Sequence, residues 1–76
     1  MTRDEIDKCW FDNKSIIGAR FRLNDSVEFH TGVHVGKFGS VISLLSLAPN
    51  PIYVVELSNG EDVTSIESDL TPVTES

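Results

Sequence analysis

The chain has 76 residues and a formal net charge of −6, with twelve acidic against six basic side chains. That length holds one domain with a small core, which buries roughly 60% of the unfolded surface. Its single cysteine, Cys9, excludes an internal disulfide or a thiolate-built metal cluster and suits a reducing compartment.

The charge is unevenly distributed. Residues 1–57 sum to −1, whereas residues 58–76 carry Glu61, Asp62, Glu67, Asp69 and Glu75 with no cation. Such a surface repels phosphate backbones and attracts cationic partners by steering. A solvated hairpin and tail that keep the protein soluble would account for the same acids. The opening Met1-Thr2-Arg3-Asp4-Glu5 lacks the basic end and apolar stretch of a secretory leader. Val41 to Ala48 is the longest apolar-rich segment, but Ser43 and Ser46 break it and it is too short to span a bilayer. A soluble, cytoplasmic protein is expected.

In chain order, Thr2-Arg3-Asp4-Glu5 predicts a capping box opening a short helix over residues 3–10, with Ile6, Cys9 and Trp10 on one side. A helix that short must dock on something to persist. Asp12 to Ser15 reads as its exit turn, and Ile16-Ile17 as an apolar lead-in. The pairs Phe21/Leu23 and Val27/Phe29 each keep a two-residue period, with a bend at Asn24-Asp25-Ser26 between them. Thr31 to Gly36 is a glycine-bearing loop. Residues 39–47 form the longest strand candidate, with Val41, Ser43, Leu45 and Leu47 on one face and Ile42 and Leu44 on the other. Ala48-Pro49-Asn50-Pro51 is a stiff turn, and Ile52 to Leu57 a strand rich in β-branched and aromatic residues. Asn59-Gly60 predicts a type I′ hairpin returning through Asp62 to Ile66. Ser68-Asp69-Leu70 suggests a single helical turn, residues 70–73 a closing strand, and residues 74–76 a frayed tail.

The glycine ladder Gly32, Gly36, Gly39 with Val41, inside residues 27–42, resembles the KOW-type motif of SH3-like barrels. The strand from Tyr53 to Leu57, the Asn59-Gly60 turn and the helical turn at residues 68–70 follow in the order such domains use. The resemblance covers residues 20–73 and implies an all-β fold: a single five-stranded, partly open SH3-like barrel. Residues 1–19 would be its N-terminal helix and lead-in, and residues 74–76 its tail. Family members on ribosomes and in transcription bind RNA or proteins through basic loops. This glycine loop carries one cation, Lys37. The chain is also similar to small bacterial barrel proteins of unknown function, some of them immunity-like.

No catalytic constellation is visible. His30 and His34 lie four apart across a glycine bend, where helical ligand geometry does not apply, so neither a metal nor another cofactor is expected. Cys9 has no paired base. The glycine spacing is not that of a phosphate-binding loop, and the acids flank a hairpin rather than a pocket. Trp10, Phe11 and Phe38 are the candidate contact aromatics, with Phe38 at the tip of a glycine turn. Its alternative is to fold back over the open barrel end.

These features favour a non-enzymatic, acidic protein-binding module. Phe38, Glu61, Asp62, Glu67 and Asp69 form the expected contact set for a protein with a basic surface. The most concrete version is an immunity or inhibitor protein covering a cationic, nuclease-type toxin. An accessory or regulatory subunit of a larger enzyme or electron-transfer complex is the alternative. KOW-like nucleic-acid or ribosome binding follows, disfavoured by the charge. An exposed strand edge would also leave room for homodimer pairing.

Overall fold

The computed structural model describes residues 2–73; the tail at residues 74–76 lies outside the described residues. The helix α1 spans Arg3–Phe11, one residue longer than expected. Its capping box forms: the Glu5 amide donates to the Thr2 hydroxyl at 3.2 Å, and the Thr2 amide to Glu5 Oε1 at 3.3 Å. At the other end Asn13 takes φ 57°, Asn13 N–H donates to the Trp10 carbonyl, and Lys14 N–H reaches the Cys9 carbonyl. That is a Schellman closure built on asparagine rather than glycine.

α1 docks through Ile6 and Trp10, which share one core with Ile16 and Phe21 and with the strands. Three polar contacts fix its angle. The Arg3 guanidinium donates to the carbonyls of Leu44 at 2.7 Å and Leu45 at 3.3 Å, and Trp10 Nε1 to that of Ile42 at 3.4 Å. The lead-in and the strands are therefore packed together rather than separate.

Five strands follow: β1 Ser26–Phe29, β2 Phe38–Ser46, β3 Ile52–Leu57, β4 Asp62–Ile66 and β5 Leu70–Pro72. All pair antiparallel in one sheet of order β4-β3-β2-β1-β5. The edge strands β4 and β5 are not paired with each other, so the sheet does not close. A 3-10 turn, Glu67–Asp69, leads into β5 one residue earlier than expected. The core is Val27, Phe29, Val41, Leu44, Tyr53, Val55, Leu57 and Leu70, with the α1 side chains closing one end.

Four expectations are corrected. Phe21 and Leu23 are not in a strand: Asn24 at φ 70° breaks the extended run, and β1 starts only at Ser26. Phe21 is nonetheless buried against Tyr53, ring edge to ring face at 5.6 Å. In β2, Val41 and Leu44 share the core while Leu45 is exposed. Register shifts between Val41 and Ser43 and between Leu44 and Ser46 insert an extra residue each time, which defeats simple alternation. The β3–β4 turn is not type I′. Gly60 N–H donates to the Leu57 carbonyl, Leu57 N–H to that of Glu61, and only Gly60 (φ 87°) is left-handed. This is a three-residue loop, a type I turn closed by a left-handed glycine. Trp10 is buried, so it is no contact aromatic.

Gly39 is where the sheet folds most tightly. A Cβ there would lie 2.5 Å from the Glu56 carbonyl oxygen and 2.7 Å from Val55 Cγ1. Only glycine lets β2 pass that close to β3.

Candidate functional site

Strand register brings together residues distant in sequence. Asp62 lies opposite Glu56, Glu56 opposite Ser40, and Ser40 opposite Ser26. The Val73 amide then donates to the Ser26 carbonyl at 3.0 Å. These residues make one row across β4, β3, β2 and β1, ending at Val73 just past β5, on the face away from the core: two carboxylates, two serines and a valine. Alternation around the buried Val27, Val55 and Leu57 forces this outward direction.

Large side chains at the ends of the row and small ones in the middle leave a trough. It is an open groove of about 490 Å³ lined by Ser26, Ser40, Phe38, Glu56, Gly60 and Val73, among others. Phe38, 51% exposed and opposite Glu28, stands beside the serines as its aromatic wall. On its far side Phe38 lines a second depression, of about 280 Å³, with Lys37 and Asn59. The ring is thus an exposed wall rather than a lid folded over the core.

The expected acids divide into two groups. Glu61 and Asp62 are exposed at the hairpin, next to Glu56. Glu67 and Asp69 lie beyond the other end of β4, roughly 17 Å away at the usual strand rise. There they are engaged within the chain. Glu67 Oε2 accepts from the Tyr53 hydroxyl at 2.6 Å and from the Arg20 amide at 2.8 Å. Asp69 Oδ1 accepts from the Thr31 hydroxyl at 2.6 Å, and the Asp69 carbonyl from the His30 amide at 3.0 Å. These two acids tie segments together. Burial pushes the Tyr53 hydroxyl well above its ordinary value, and the bond to Glu67 adds to it, so the phenol stays protonated.

Glu56, Ser40, Ser26 and Val73 were not among the residues singled out in the sequence. Glu56 carried a signal, since alternation between Val55 and Leu57 turns it outward. The serines carried none, because only register makes them neighbours. Among the described residues the one salt bridge is Arg3–Asp7, so no lysine or arginine of the chain neutralises Glu56, Glu61 or Asp62. Like charges facing each other across a strand pair are mildly unfavourable, and Glu56 and Asp62 do so in solvent.

Among the described residues no three histidine, cysteine or acidic side chains cluster as metal ligands. His34 packs edge-on against Phe29 at 5.5 Å, and His30 is exposed. No described helix is long and apolar enough to cross a membrane.

No protein-family model matches the chain, and no curated protein sequence does. Among solved structures, the NMR structure of the Bacillus subtilis protein YorP is similar. Its TM-score is 0.62 at 27% identity, over 75% of this chain and 74% of that one.

Proposed function

We propose that the chain is a non-catalytic protein-binding module whose trough takes a basic surface of its partner. The observation that carries this is the aromatic wall of Phe38 beside an uncompensated Glu56–Asp62 pair, with serines between them. A half-exposed aromatic beside small residues offers an apolar anchor, and the carboxylates would hold a lysine or arginine at the rim. The strand order and the 3-10 turn before β5 support an SH3-like assignment of the sheet. The most concrete partner remains a cationic toxin of nuclease type, held in an inhibitor complex inside the cell.

Affinity capture from the cell of origin tests this, using the wild type, Phe38→Ala and Glu56→Lys side by side. The expected result is a basic protein retained by the wild type, lost with both variants, and captured more slowly as salt rises. Retention on RNA or heparin at moderate salt, with no protein captured, would replace this reading with nucleic-acid binding.

A further inference from the structure

The two edges of the sheet are unequal. β5 is three residues long and ends at Pro72, two devices that discourage strand addition. β4 has five residues, no proline and one charge, Asp62. The Leu57 amide donates to the Glu61 carbonyl at 2.8 Å and the Glu67 amide to that of Pro51 at 3.0 Å, which fixes the phase of the β3–β4 ladder. Tyr53↔Ser65 and Val55↔Val63 are then the hydrogen-bonded pairs, and Asp62, Thr64 and Ile66 aim their backbone groups away from β3. Among the described residues no backbone group of another segment reaches these three. The Ile66 carbonyl accepts from the neighbouring Ser65 hydroxyl at 3.0 Å, and the other groups face solvent.

We infer that β4 receives an extended segment of a partner protein as a sixth, antiparallel strand. The side chains of the edge state what that segment must look like. At one end Ile66, 45% exposed, sits opposite Ile52 and offers an apolar seat. Four residues away, roughly 13 Å along the strand, Asp62 and Glu56 form the carboxylate pair. An antiparallel guest meets Ile66 first and Asp62 last. Its sequence is therefore an apolar residue, then a β-branched or small residue two positions on, then lysine or arginine two positions after that. Its first, third and fifth residues exchange the backbone bonds, and the main chain supplies affinity while the two end pockets supply direction. A second copy of this chain fits less well: pairing β4 on itself about Thr64 would put each Asp62 opposite an Ile66, leaving both carboxylate pairs without a cation.

This surface shares Glu56 with the trough but uses neither Phe38 nor the serines, so the two readings can fail separately. The probes are two blocked pentapeptides, one reading valine-serine-threonine-serine-arginine and one the reverse order. They are titrated into the isotope-labelled full chain while amide shifts are followed. The forward peptide is expected to move the amides of Asp62, Thr64 and Ile66 and to bind more tightly than the reverse one. Thr64→Pro, which removes one outward N–H from an edge strand and spares the β3 ladder, should weaken it about five- to tenfold. Thr64→Val keeps that N–H and should keep binding, which guards against a mere folding defect. Phe38→Ala should lower partner capture yet leave the peptide shifts in place. Equal binding of both peptides, indifference to Thr64→Pro, or shifts confined to the Phe38 side would overturn the inference. So would concentration-dependent protection of β4 amides in the free protein, which would assign the edge to a second copy.

Discussion

The Tyr53 hydroxyl donates to Glu67 Oε2 at 2.6 Å while accepting from the Phe21 amide at 3.4 Å. A fully buried ring thereby joins three segments: the lead-in at Arg20 and Phe21, the strand β3, and the 3-10 turn before β5. Removing the hydroxyl with Tyr53→Phe should cost about 1–2 kcal/mol, because a charged acceptor loses its donor. For a domain of this size that lowers Tm by roughly 5–15 °C. Thermal unfolding followed by circular dichroism checks this. An unchanged Tm would show the contact to be incidental.

The same hydroxyl sets the response to alkali. Its folded value is raised above the ordinary phenol value of 10.0 by burial first and by Glu67 second. Below that ordinary value both folded and unfolded chains hold the proton, and the contribution is complete. Above it the unfolded chain ionises while the folded one resists, so stability falls as pH climbs toward the folded value. Denaturant midpoints measured from about pH 9 upward should drop faster for the wild type than for Tyr53→Phe. The chain has one tyrosine, which makes phenolate absorbance a direct second readout. Reversible ionisation at the ordinary value in a folded protein would contradict this.

Gly39→Ala should be among the most damaging single changes. Its methyl group would meet the Glu56 carbonyl oxygen at 2.5 Å, and that oxygen belongs to a paired strand that cannot swing aside. A loss above about 2 kcal/mol is expected, in the range of backbone shifts forced by overpacking. Gly60→Ala is the control, since nothing lies within 4 Å and only its φ of 87° opposes the change. That should cost about 1 kcal/mol. Chemical denaturation of both variants gives the comparison, and equal losses would mean the sheet is not tightly folded at Gly39.

Glu56→Lys separates stability from binding. It relieves the facing carboxylates Glu56 and Asp62 and creates a cross-strand ion pair. A gain of roughly 0.2–1 kcal/mol is expected on that account. If the pair is kept for a cationic partner, the same variant loses capture, a trade of function against stability. A destabilised variant would remove the physical basis for reading that pair as strained.

Local chemistry was legible in the sequence and long-range geometry was not. Thr2 and Glu5 announced the helix start because a capping box spans four consecutive positions. The strands at Val27–Phe29 and Tyr53–Leu57 showed in their composition and period. The side assigned to Leu44 failed because a bulge shifts register without leaving a mark in hydropathy. Glu67 and Asp69 looked like members of one acidic surface, yet each is held by a hydroxyl far away in sequence, Tyr53 and Thr31 respectively. No spacing rule connects such pairs. The trough was invisible for the same reason: Ser26 and Ser40 are ordinary residues until β1 and β2 lie side by side.

Val73 forms one end wall of the trough, bound to the Ser26 carbonyl, whereas Thr2 and Arg3 sit by the far end of β2. A bulky label fixed on the side chain at position 73 would therefore stand beside the docking groove and compete with whatever docks there. A label at Thr2 leaves the groove open, and a capture experiment that comes back empty carries weight only with the label there.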